Sequence, residues 1–163
     1  MERRFREALA EIYEILLYID QNSFDEIPFE VIYKITETRS KEYEFKINEN
    51  EVELGQIIEN KIKEETKEIL AYLYLEYWCT KRDEKLEKEL EALKETMKLQ
   101  GIYNVFTLDI NDLDIYDEIL KKDEIEELES NTAETRIIKT EKENLFTKIK
   151  NLIIKFFKKF TKK

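Results

Sequence analysis

The sequence predicts an all-α protein: a small antiparallel bundle of four to five helices, followed by a linker and a C-terminal amphipathic helix. Three observations predict this class. Only two Gly (Gly55, Gly101) and one Pro (Pro28) occur in 163 residues, too few turn residues for a sheet protein. Charged residues make up 40% of the chain, which suits long solvated helices. Apolar residues recur at three- and four-residue spacing in several stretches, the period of a helix with one buried face. With 42% hydrophobic and 12% aromatic residues, the chain has enough apolar material for a single core.

Residues 2–20 place Phe5, Leu9, Ile12, Leu16 and Ile19 on one stripe, with Ala8 and Tyr13 beside it, and predict a first helix ended by Gln21, Asn22 and Ser23. Residues 23–38 predict a second, with Pro28 in its first turn, where a missing N–H costs nothing. Its expected buried face is Phe29, Ile32, Tyr33 and Thr36, and the short connection implies an antiparallel hairpin with the first helix. Residues 41–47 alternate polar and apolar. With no partner strand in view, they read as an extended segment pinned by Tyr43, Phe45 and Ile47. Residues 48–62 read as a short helix or turn around Gly55.

Residues 66–79 form the densest apolar stretch and hold the only Trp and the only Cys. Apolar side chains cover nearly its whole circumference, as in a helix enclosed by neighbours. The helix is expected from near Lys63 to Trp78 or Cys79, with Ile69, Leu70, Leu73 and Tyr77 in the core. Thr80 with Asp83 resembles a capping signal for the next helix, 81–100, whose seam is Leu86, Leu90, Leu93 and Met97 and whose stop is Gly101. Residues 1–101 are therefore expected to form the helical domain. Residues 102–143 read as an acidic helical or linker region, with a helix capped near Asn111, and 144–163 as a basic amphipathic helix.

The net charge of −10 hides an asymmetry: residues 144–163 hold seven Lys and no acid, leaving residues 1–143 at −17. An acidic body repels nucleic acid and anionic membranes, whereas the tail attracts both. Nucleic acid is therefore not an expected partner of the body.

The missing residue types exclude much chemistry. With no His, Ser-His and Cys-His nucleophiles and His-metal sites are excluded. Cys79 alone can neither form an intrachain disulfide nor, without His, complete a structural zinc set, and it reads as a small buried hydrophobe. Two Gly cannot write a phosphate loop or a dinucleotide fingerprint. An EF-hand loop starting at Asp109 would meet Leu113 and Asp114 where an oxygen ligand and Gly are needed, and a start at Asp112 fails in the same way. The aromatics Tyr72, Tyr74, Tyr77 and Trp78 offer faces for base stacking, but their acidic setting favours core packing. No catalytic residue, metal ligand or cofactor is predicted, and the expectation is a non-enzymatic protein.

The one functional signal is the stretch 145–160. Phe146, Ile149, Ile153, Phe156 and Phe160 follow three- and four-residue spacing, with Phe157 widening the stripe. Lys148, Lys155, Lys158 and Lys159 lie largely opposite. About 16 residues at 1.5 Å rise span about 24 Å, too short and too charged to cross a bilayer. A Phe- and Ile-rich face opposed by Lys suits a helix lying in the membrane interface. Two rivals remain open: docking on the chain's own acidic body, or insertion into a groove of a partner protein.

Several segments resemble a family of small uncharacterised helical proteins of low-GC Gram-positive bacteria. They are Ile27-Pro28-Phe29, the segment from Tyr43 through Glu44, Phe45 and Lys46 to Ile47, the run from Glu65 to Leu70, Tyr77-Trp78-Cys79, and the Phe- and Lys-rich C-terminus. The resemblance implies a bacterial cytoplasmic setting and no activity. The expected function is an interaction protein that binds a protein partner, tethered by its tail to the cytoplasmic face of the inner membrane. The alternative is an acidic soluble inhibitor or nucleic-acid mimic that binds a basic protein, with the tail docked on its own domain.

Overall fold

The computed structural model describes residues 1–47 and 61–107. The turn predicted around Gly55, the helix predicted after Asn111, the 109–114 acidic run and the whole C-terminal tail lie outside the described residues. Among the described residues the fold is all-α. It comprises α1 (Arg3–Leu16), α2 (Gln21–Asp25), α3 (Phe29–Thr38), α4 (Glu64–Leu73), a π-helical turn (Tyr74–Trp78), α5 (Glu84–Leu99) and a 3-10 turn (Tyr103–Val105).

α1 ends at Leu16, short of the 2–20 expected. It buries Phe5, Ala8, Leu9, Ile12 and Leu16 of the predicted stripe, and Ile15 and Glu11 join them at 0% exposure. Ile19 is buried just past the helix, and Tyr13 is only half-buried. Contrary to the sequence reading, Gln21, Asn22 and Ser23 do not simply end α1. They open α2, whose N-cap Asp20 accepts Ser23 N–H at 3.0 Å. The predicted 23–38 helix is therefore two. Proline at position 28 biases Ile27 away from helical geometry, and α3 starts immediately after it. The buried face of α3 is Val31, Ile32 and Ile35. Phe29, Tyr33 and Thr36 are only half-buried, and the Thr36 hydroxyl donates back to Ile32 O at 2.9 Å.

α3 runs antiparallel to α1, since its end meets the start of α1: Ser40 N–H donates to Arg6 O at 2.8 Å. α4 starts beside the same end of α1, where Arg4 pairs with Glu65 at 3.4 Å. Its π-helical extension reaches α2, where the Trp78 indole N–H donates to Ser23 O at 2.7 Å. α4 thus runs in the same sense as α1 and packs along it. α5 returns antiparallel to α4, with Lys94 at 3.2 Å from Glu76.

α4 begins where the sequence places it, and Ile69, Leu70 and Leu73 are buried as expected. Tyr77 is partly buried, while Tyr72 and Leu75 are fully enclosed beside it. The last turn widens: Cys79 N–H donates to Tyr74 O, five residues back, at 2.7 Å. The Arg82 guanidinium takes the carbonyl of Leu75, so the wide turn leaves that oxygen satisfied. α5 is capped by Asp83, which accepts Leu86 N–H at 2.9 Å. Thr80, named in the sequence signal, is not the cap residue. Gly101 sits at φ +70, the left-handed position that closes the helix, and Ile102 N–H donates to Met97 O. The core continues beyond it through Ile102, Val105 and Phe106, and Lys34 of α3 holds this end by donating to Thr107 O at 2.7 Å.

Candidate functional site

All ten tail residues singled out in the sequence lie outside the described residues: Phe146, Ile149, Ile153, Phe156, Phe157, Phe160, Lys148, Lys155, Lys158 and Lys159. Among the described residues, the densest polar constellation is instead a node on α1 that no motif announced.

Its centre is Glu11, which is 0% exposed. One carboxylate oxygen accepts the Tyr43 hydroxyl at 2.7 Å. The other accepts Lys63 N–H at 2.9 Å and the Thr66 hydroxyl at 2.6 Å. Lys63 is the N-cap of α4 and provides no side-chain cap of its own. A carboxylate delivered by another helix therefore takes the N-cap N–H of α4 together with the Thr66 hydroxyl, at the end where the helix dipole favours negative charge. Thr66 occupies the third position of α4, where a capping-box residue ordinarily reaches back to the N-cap; here Glu11 bridges the two.

An outer ring of charge surrounds the node. Glu7 pairs with Arg3 at 2.7 Å and with Lys63 Nζ at 3.1 Å, and the Lys63 ammonium lies 5.3 Å from the centre of the Tyr43 ring. Hydrogen bonds from Arg3 and Lys63 hold the Glu7 carboxyl below its usual range. Burial, followed by the bond to Glu11, pushes the Tyr43 hydroxyl well up, so it acts as a donor. The hydrogen bonds of Glu11 join three separate segments, α1, residue 43 and the start of α4, which is the geometry of a structural clamp.

The aromatic group on α4 is also accounted for by packing. Tyr72 meets Tyr77 and Tyr103 edge-on at 6.4 and 6.3 Å and Phe106 at 5.3 Å. Offset and edge-on geometries of this kind are those of core aromatics. Burial raises Tyr72 and lifts Tyr77 to about 12. Cys79, expected to be buried, is half-buried at the end of the π turn, with its thiol directed at Lys81 O at 3.3 Å and Tyr74 beside it. It has moved outward because the backbone leaves helical geometry there.

Among the described residues no three Cys, Asp or Glu side chains converge as a metal site. A shallow open depression at the start of α5 is lined by Asp83, Glu84, Lys85 and Lys88. No described helix is long and apolar enough to cross a membrane.

The fold and node together define a small all-α protein built around an internally satisfied polar clamp. Compared with known proteins, the chain matches no family model, no curated protein and no solved structure.

Proposed function

We propose that this protein is a non-enzymatic interaction protein held reversibly at an anionic membrane surface by residues 145–160, with the helical body presented to a protein partner. The observation that carries this reading is the pairing, in one stretch, of a Phe- and Ile-rich stripe with a lysine-rich opposite face. Lysines near anionic headgroups contribute about 1 kcal/mol each, and their stems can run past the apolar edge. The bacterial cytoplasmic setting implied by the resemblance to small helical proteins of low-GC Gram-positive bacteria supplies such a surface.

The charge distribution bears on the alternative of an acidic mimic. The described residues hold 21 acidic and 16 basic side chains, a net of −5, and pair many of them with one another. Residues 108–143 alone hold 13 acids against 5 bases, a net of −8. Along the sequence, residues 108–143 thus carry more net negative charge than all the described helices together, so a mimic built from the surface of those helices alone has little net charge to work with.

The test is co-sedimentation of the full chain with phosphatidylglycerol-containing vesicles, beside pure phosphatidylcholine vesicles and beside the Ile153→Asp/Phe156→Asp variant. Wild type is expected to pellet with the anionic vesicles, and the variant to stay in the supernatant. Wild type remaining in the supernatant with both vesicle types would end the membrane reading.

A further inference from the structure

We infer that residues 40–47 form a detachable strap over α1, latched by Tyr43 on Glu11, which opens while the helical core stays folded. The strap is laid out along the helix in register. Ser40 N–H donates to Arg6 O at 2.8 Å, Tyr43 reaches Glu11, and at the far end Tyr18 donates to Ile47 O at 2.8 Å. The segment bends at Lys41 and Glu42 and then runs on without helical or strand structure. Its ties therefore fall at its start, at Tyr43 near its middle, and at its end, where Tyr18 lies just past the last residue of α1.

What fastens it differs in kind from what fastens the helices. Among the described residues, its backbone meets α1 through Ser40 N–H on Arg6 O, with Ile47 N–H pointing at Glu14 Oε1 from 3.5 Å. Side chains make other ties: Tyr43 on Glu11, Tyr18 on Ile47 O, Lys41 on Thr36 O at 2.7 Å, and the Lys63 ammonium over the Tyr43 ring. Only Ile47 is buried; Tyr43 and Phe45 are half-buried, and Lys41, Glu42, Glu44 and Lys46 are exposed. A segment with few buried apolar groups and no hydrogen-bond ladder opens below the free energy of global unfolding. The helices beneath it have their own continuous core through Phe5, Leu9, Ile12, Ile69 and Leu73, to which the strap adds Ile47 at its far end, with Phe45 packed partly against it.

Glu11 makes the latch local. Its oxygens divide the work: one faces the strap through Tyr43, and the other faces α4 through Lys63 N–H and Thr66. Losing Tyr43 frees the strap and leaves the α4 cap in place. Opening uncovers Glu11 and the start of α4, the most polar interior surface among the described residues.

Trypsin reads this directly, because Lys41 and Lys46 lie in the strap while Lys67 lies within α4. Initial cutting rates at each site in the full chain are followed by mass spectrometry. When opening is fast relative to cleavage, the rate tracks the open population. Tyr43→Phe removes one charge-assisted bond and is expected to raise cutting after Lys41 and Lys46 about tenfold, with Lys67 unchanged. Tyr18→Phe, at the other end, is expected to raise cutting after Lys46 in the same way. Thr66→Val, which touches only the α4 side, leaves the strap sites as in wild type. Cutting at Lys46 and Lys67 rising together would show that the strap leaves only when the whole protein unfolds, and would overturn the inference. So would Tyr43→Phe and Tyr18→Phe both cutting at the wild-type rate.

Discussion

Removing the Glu11 carboxylate tests whether the node clamps the fold. Three donors converge on it: Tyr43 at 2.7 Å, Lys63 N–H at 2.9 Å and Thr66 at 2.6 Å. A hydrogen bond to a charged group contributes about 1.5–3 kcal/mol, and each buried donor left stranded costs about 1–3 kcal/mol. The three share one acceptor group, so their effects do not add in full. Glu11→Ala is expected to cost about 4 kcal/mol, a large share of the roughly 5–15 kcal/mol that stabilises a small domain. Glu11→Gln keeps the shape and one acceptor but turns an NH2 toward a donor, for an expected cost of about 2–3 kcal/mol. The assay is urea unfolding of the full chain at neutral pH, followed by Trp78 fluorescence and helical circular dichroism. A double-mutant cycle with Thr66→Val should show coupling of about 1 kcal/mol or more. Stability of Glu11→Gln within about 0.5 kcal/mol of wild type would refute the clamp, and a gain would show that desolvation of the carboxylate outweighs its bonds.

Other expectations follow from neighbouring groups. Burial raises the Glu68 carboxyl above its ordinary value of 4.5, so the charged form is penalised in the fold at neutral pH and the penalty is absent below that value. Glu68→Gln should therefore raise Tm at pH 7, with the gain vanishing as the pH falls through the carboxylate range. Burial lifts Tyr77 to about 12 and raises Tyr43 and Tyr72 as well. Their stabilisation is complete below about pH 10, where an unfolded tyrosine ionises, and is lost as pH rises through the folded values. Urea midpoints should be flat up to about pH 10 and fall above it, with a shallower fall in Tyr77→Phe. At the two ends of α5, Asp83→Ala should cost about 1 kcal/mol through loss of the cap. Gly101→Ala should cost about 1 kcal/mol from the positive φ alone, since an added Cβ there meets nothing within 4 Å.

What the sequence made legible is local. The stripe of α1, the start of α4, the seam of α5 and the stop at Gly101 depend on residues within a turn or two of one another, and each is in place. Asp20 with Ser23 three residues on is equally local and reads as an N-cap, yet the polar cluster at Gln21 to Ser23 looked like a helix end. The node is different in kind. Glu11 meets partners 32, 52 and 55 residues away, and no spacing rule reaches that far. One signal was present: Glu11 stands three residues after Ala8 and four before Ile15, a carboxylate inside the buried arc of α1. A charge in that position implies partners, though not which ones. The π turn was also hidden, because apolar side chains cover nearly the whole circumference of 66–79, which leaves only a weak face from which to detect a register shift. The tail is the reverse case. Its pattern is plain in the sequence, and its function is decided by what it touches.

The most direct measurement of the proposed function uses a reporter on the tail itself. Phe157→Trp in the full chain places an indole on the apolar stripe, while Trp78 is buried and bonded to Ser23 in the core. On addition of phosphatidylglycerol-containing vesicles, the emission difference between variant and wild type should shift to the blue, and vesicles with brominated acyl chains should quench it. An emission already blue without vesicles, and indifferent to their addition and to bromine, would place the tail against protein and contradict the tethered reading.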